Sequence, residues 1–362
     1  MPRCPHVSKP ADPTQFWADG QLHFRARDVG WIVSGVLALI ACTASFWLII
    51  KHLRYYTCPQ QQRHIVRMLF MVPVYALVSF LSYYFYPQAI VFQLVRDCYE
   101  AVVITSFVWL LLQYVGDSPA EQNEVFSQVK LKKWVWPLGW WRYRPTGLHF
   151  LWIMKICILQ YAIVRPVCTI AAVGLQYMGL YCLASWSPAF GHLWIALAIT
   201  ISVTVALYAL LQLYMPIQKE LKPYSPILKF LAVKAAIFII FWQSLFLSIL
   251  FYFDVLKETE YFSAEDVQVG IEALLLTAEM CVFAFLHIKA FTYLVYRPAD
   301  RQRTTKIGAA LLDVMDFRDW WRGMRDSSRY IVARSRGRDF TEVDDIRRQK
   351  YVHLHKALGR ER

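Results

Sequence analysis

The chain has 362 residues, 57% apolar and 18% charged, with a formal net charge of +13. Uncharged runs of about 20 residues, the length needed to cross a bilayer, recur along it, and Val29 to Ile50 is the cleanest. That excludes a soluble domain, and the short alternating strands of an outer-membrane barrel are absent, so the class is an all-α polytopic membrane protein.

Residues 1–28 read as a polar extracellular or lumenal tail. No cleavable signal peptide is expected, because the first apolar run is longer than a signal core; it serves as both targeting signal and first span. Seven spans follow from hydropathy, near 29–51, 66–87, 89–115, 162–184, 191–215, 227–253 and 268–293, making 29–296 the transmembrane domain. The stretch 148–184 would be about 55 Å long as one helix, so it reads either as two short spans or as one span with a cytosolic extension.

Loop charge separates these. Lys51, Arg54, Arg63 and Arg67 flank the 52–67 loop, and the 116–150, 216–229 and 297–362 segments are also basic. The intervening loops are uncharged or, at 254–267, acidic. The positive-inside rule then fits seven spans with the N-terminus outside or lumenal and the C-terminus cytosolic. An eighth span would put the basic tail on the wrong side, so 148–184 is read as one helix, with Lys155 in a cytosolic extension and Arg165-Pro166 near the cytosolic interface. The net charge reflects orientation and anionic lipid, and no nucleic-acid partner is expected, since the basic residues are dispersed.

Span three carries Arg96, Asp97 and Glu100 within five residues. Each costs about 2.5–3.5 kcal/mol at membrane depth before pairing. Counting from the outer end, Arg96 is roughly 12 Å deep and Glu100 roughly 18 Å. Spaced i,i+4, they share a face and can pair, whereas Asp97 points about 100° away and needs another partner. In span six Lys234 lies in the cytosolic half and Gln243 past the midplane. In span seven Glu272 is shallow, Glu279 near the midplane, and His287 close to the cytosolic end. Three readings stay open: an interhelical clamp, a lining for a polar or anionic substrate met by Arg96 or Lys234, and a proton relay through Glu100, Glu279 and His287.

No Walker A, GxSxG, HExxH or histidine-box pattern occurs, so no enzyme, catalytic residue, cofactor or metal site is expected. The eight cysteines form no CxxC or zinc pattern, and most read as small packing residues. Cys58, in a basic juxtamembrane loop, is the lipidation candidate.

Several blocks in order resemble the organic solute transporter alpha family, including its transmembrane protein 184 branch. The first runs Pro59-x-x-Gln62-Arg63-x-Ile65-x-Arg67, then Met71-Val72-Pro73-Val74-Tyr75 and Ser79. The others are Arg96 to Ala101; Leu221-Lys222-Pro223 through Lys234 to Phe241-Trp242-Gln243; and Glu279-Met280 with Ala284 and His287. Gly116-Asp117 departs from the family's common Gly-Gly-Glu. The resemblance implies a facilitative carrier of amphipathic organic anions, sterol conjugates or lipids. It also implies a single-span beta-type partner or a homo-oligomer, and a vacuolar or endosomal membrane, with the plasma membrane as the other option.

In the tail, the apolar residues of 308–332, interleaved with arginines, suit an amphipathic helix that lies on the cytosolic leaflet or packs under the bundle. Phe340 and Val343, with acidic flanks, resemble a motif bound by ubiquitin-like autophagy proteins through strand addition. This supports a rival function, a membrane scaffold or receptor that recruits cytosolic partners.

Overall fold

The computed structural model describes residues 17–18, 21–22, 26–85, 89–116, 121, 125, 147–181, 187–221, 229, 239, 242–243, 246–247, 249–250, 253, 255, 264–298, 305–318, 325, 328–329 and 332. A two-residue antiparallel ladder, β1 (Trp17–Ala18) with β2 (Gln21–Leu22), precedes the helices. These are α1 (Ala26–Arg54), α2 (Pro59–Leu69), α3 (Met71–Tyr84), α4 (Ala89–Val115), α5 (Gly147–Tyr177), α6 (Gly191–Leu221), α7 (Ala264–Ala290) and α8 (Ile307–Val314), with a 3-10 turn at Tyr293–Tyr296. Six helices among the described residues are long and apolar enough to cross a membrane: Arg27–Arg54, Pro59–Tyr84, Val91–Val115, Phe150–Tyr177, Gly191–Met215 and Val267–Tyr296. The expected span 227–253 falls mostly outside the described residues.

The second span starts at Pro59 rather than near 66. Arg63 and Arg67 lower the hydropathy there, yet Pro59 suits a first helical turn and Gln62 Oε1 accepts the Cys58 amide at 2.9 Å. The turn at Phe70 divides α2 from α3, because Pro73 has no amide to give Leu69 and its ring crowds that carbonyl. The 148–184 stretch is a single helix, as charge required, but it ends at Tyr177. Gly179 stops it, with a φ of +69° and the paired amide bonds Gly179 to Gln176 and Leu180 to Leu175, each 2.9 Å. Gly179→Ala should therefore lower stability by about 1–2 kcal/mol, the cost of a Cβ in the left-handed region, read by thermal unfolding in detergent.

The α2–α3 and α4 spans form the centre, with 72% and 67% of their apolar windows buried, against 28% and 22% for α5 and α6. α3 packs on α1, α4 and α7; α4 packs on α2, α3 and α5; and α5 pairs with α6. Ile65, Met68, Tyr75, Phe107, Leu111, Leu276 and Met280 fill the interior. Leu39, Val167, Ile201, Val282 and Phe285 point outward as an uncharged surface. Trp31 stacks near Phe80 and Tyr84 at one end, and Trp47 meets Tyr293 at the other. The two tryptophans are about 24 Å apart along the helix, which matches aromatic belts around a bilayer core of about 30 Å.

Contacts fix the helix directions. α1 and α7 run parallel, since Ser34 bonds Thr277 and His52 bonds the Phe291 carbonyl. α3 is antiparallel to α1, with Tyr83 donating to Arg27 and Cys42 reaching Pro73. Gly30 lets the Tyr83 ring lie against α1, because a Cβ there would collide with its hydroxyl. Reciprocal bonds of 2.8 Å join Gln160 and Ser202 across α5 and α6. The end where α1 closes and α2 opens, carrying Arg54 and Arg63, is called the basic end below.

Candidate functional site

The α4 sequence has no Gly or Pro from Ala89 to Val115, so its helix runs unbroken through the charged residues. Arg96 and Glu100 do not pair with each other as their spacing suggested. Arg96 turns to α7, with Nη1 3.7 Å from Glu272 Oε1, and its Nε lies 3.6 Å from Asp97 Oδ1. The partner that Asp97 needs is Arg165 on α5. Its Nη2 stands 2.9 Å from Asp97 Oδ1 and 3.5 Å from Glu100 Oε2. Tyr75 and Tyr161 are buried beside Glu100. The layer therefore joins three helices through two guanidinium groups and three carboxylates, with side chains 12–16% exposed.

Arg165 and Glu272 belong to this layer and are the members that the sequence did not place among the candidate site residues. By hydropathy the membrane-crossing part of this helix starts at 162, which puts Arg165 near the cytosolic interface; in α5, Gly147–Tyr177, it lies past the middle of the helix. Its antiparallel register with α4 then sets it level with Asp97. Pro166 leaves the Ala162 carbonyl without its usual helical donor. Lys155 is likewise not in a solvated extension. It is buried between α4 and α5, 5.2 Å from the Trp109 ring centre and 4.9 Å from that of Trp152.

Gln243 joins the same layer, donating to the Glu272 carbonyl at 3.3 Å. Glu279 lies two turns farther along α7, and its Oε2 is buried without a hydrogen-bond partner among the described residues. His287 is buried nearer the basic end, edge-on to Phe291 at 5.4 Å. Lys234 lies outside the described residues. Between α3, α4 and α7, a void of about 10 Å³ is lined by Ser79, Ser82, Gln93, Arg96 and Glu272, with Val78, Val269 and Ala273. That is room for about one water and far below a ligand pocket of roughly 300 Å³ or more.

The second constellation, Gln62, Arg63 and Arg67, sits at the basic end and holds the segment after α7. Gln62 Nε2 donates to the carbonyls of Tyr55 at 2.8 Å and His52 at 3.3 Å, tying the α1–α2 turn. Arg67 is only 1% exposed. Its Nε donates to the Val314 carbonyl and its Nη2 to the Asp316 carbonyl, each at 2.7 Å, and its guanidinium lies 4.6 Å from the Phe317 ring centre. The Val314 carbonyl is one that a helix C-terminus leaves unsatisfied, and a cation there also opposes the helix dipole. Asp313 takes the Tyr56 hydroxyl at 2.7 Å and lies 3.7 Å from Arg63. Burial and that carboxylate push the Tyr56 phenol well above its usual range, so it stays a donor. The Thr305 amide meets the Arg54 carbonyl at 3.0 Å. The amphipathic helix expected over 308–332 is interrupted: α8 ends at Val314, a turn follows through Asp316 and Phe317, and Arg318, Arg325, Ser328, Arg329 and Val332 are again helical. Cys58 is exposed as expected of a lipidation candidate. Phe340 and Val343 lie outside the described residues.

An apolar-surfaced set of helices with an ionisable layer buried among them defines a polytopic helical membrane protein with a polar interior. The family model described as Organic solute transporter Ostalpha matches residues 30–296, and the chain belongs to that family. Over 266 residues it is 35% identical to a transmembrane protein 184 homolog of Dictyostelium discoideum, a match covering 73% of this chain and 52% of that protein. The chain thus spans about half the length of that curated relative. No solved structure matches it. The family is one of transporter-type membrane proteins rather than of enzymes.

Proposed function

We propose that the protein is a facilitative carrier of amphipathic organic anions, sterol conjugates or lipids, working in a vacuolar or endosomal membrane. The observation that carries this reading is the unequal pairing of the two arginines. Arg165 holds Asp97 at 2.9 Å, a charge-assisted hydrogen-bond distance. Both acidic contacts of Arg96 are 3.6–3.7 Å, beyond that range. Arg165 is then the fixed clamp, and Arg96 the cation that a substrate anion can take over from Glu272. Gln243, on the Glu272 backbone, orients the ligand. Clamp and ligand site, two of the three readings left open by the sequence, fall to different arginines in one layer.

The carrier crosses the membrane seven times, with its N-terminus outside or lumenal. α6 ends at the basic end while α7 starts at the other, so an odd number of crossings between them is favoured. Lys229 supports this by donating to Tyr114, at the basic end of α4, at 2.8 Å, while Gln243 reaches Glu272 in the opposite half.

Purified protein in proteoliposomes should pass a labelled sterol sulfate down its gradient. Arg96→Ala should reduce that flux at least tenfold while leaving the melting temperature nearly unchanged. Flux no greater than in empty vesicles across a panel of organic anions would end the carrier reading.

A further inference from the structure

The outer face of α8 is apolar, which is unusual for a short helix at the rim of a protein. Its sequence, Ile307 to Val314, has one polar residue, Asp313. That residue is turned to Tyr56 and Arg63. Ala310 and Val314 are buried against the bundle, and Arg67 fixes the helix rotation by gripping the Val314 and Asp316 carbonyls. The arc left outside consists of Gly308, Ala309, Leu312 and Met315, and Leu312 is 76% exposed. A helix that is apolar on both faces belongs in apolar surroundings on both.

Two further features say what covers that arc. Leu294 and Val295 are exposed at the same end, beside Trp47 and Tyr293, and extend the uncharged outer surface of α1 and α7. Lys51, Arg54, Arg297 and Lys306 lie at the same end, while Arg318 is paired with Asp316 at 2.6 Å. An apolar face at a basic end repels a second copy of itself and attracts a negative, apolar-cored surface.

We propose that the outer face of α8, with Leu294 and Val295, beds into the anionic leaflet of the membrane that the spans cross. The apolar side chains enter the acyl boundary and the cations at that end meet lipid headgroups. The span-two motif is then the device that presents this helix to the lipid in one orientation. This inference does not depend on transport.

The test uses the full chain with its native cysteines replaced by Ser and carrying Leu312→Cys, spin-labelled at 312, in nanodiscs of phosphatidylcholine with or without phosphatidylserine. With phosphatidylserine, the label should relax faster with oxygen, which partitions into the bilayer, than with a water-soluble nickel chelate. Adding Lys306→Glu and Arg318→Glu should shift the label toward the chelate by several-fold in the accessibility ratio. A label that favours the chelate in both lipids would overturn the proposal, and so would one shielded from both reagents, which would mean protein covers the face.

Discussion

Arg165→Met is expected to destabilise the protein by about 3–5 kcal/mol, the cost of leaving buried carboxylates without their cation. Asp97 and Glu100 both face Arg165 Nη2, at 2.9 and 3.5 Å. The remaining cation, Arg96, is 3.6 Å from Asp97 and is shared with Glu272. Arg96→Met should cost less, because its own ion contacts, at 3.6 and 3.7 Å, lie beyond charge-assisted hydrogen-bond distance. Chemical unfolding in mild detergent separates the two. Removing both members of the tight pair, in Arg165→Met with Asp97→Leu, should recover part of the loss, since an apolar replacement of a buried pair is often neutral while Glu100 still lacks its cation. If Arg96→Met proves as costly as Arg165→Met, the division of labour between the two arginines is wrong.

That division also marks how far the sequence could be read. The polar layer was legible because Arg96, Asp97 and Glu100 interrupt an apolar run. Asp97 could be seen to need a partner off its own helix. The partner's identity was not legible, because depth on α5 depends on where along the helix the membrane-crossing part begins. The sequence placed that start from hydropathy alone, and the buried Lys155 made the first three turns of α5 look like a solvated extension. Trp109 and Trp152 cover that ammonium, and nothing in the local pattern announces a pairing with α4. The same misreading shortened span two. Arg63 and Arg67 looked like loop charges, yet a guanidinium is compatible with burial when backbone carbonyls are aimed at it. Those carbonyls come from residues about 250 positions later in the chain, as the separations of 247 and 249 show. A distant backbone acceptor carries no side-chain signature, so no spacing rule could have revealed it.

Arg67→Met should release α8 from the basic end while the spans stay folded. Two hydrogen bonds from a charged donor, worth about 1.5–3 kcal/mol each, are lost with the guanidinium contact to Phe317, about 0.5–2 kcal/mol. The sum exceeds what an eight-residue helix contributes through Ala310 and Val314, its buried side chains. The expected result is therefore local opening rather than global unfolding. Amides 307–314 should lose hydrogen-exchange protection by at least a hundredfold, with little change at α4 or α7. Arg67→Lys should not restore protection, because an ammonium cannot reproduce a planar fork directed at two carbonyls and an aromatic face. The Arg67 carbonyl adds a second consequence. It accepts the Tyr99 hydroxyl at 2.6 Å, and Tyr99 sits on α4 between Asp97 and Glu100. Movement of α2 after α8 is released thus reaches the charged layer through one hydrogen bond. Tyr99→Phe cuts that bond and leaves the grip on α8 intact, so it should cost only about 1 kcal/mol and keep amides 307–314 protected. If Tyr99→Phe exposed those amides as fully as Arg67→Met does, the hold on α8 would lie in the packing of α2 on α4 and not in the Arg67 guanidinium.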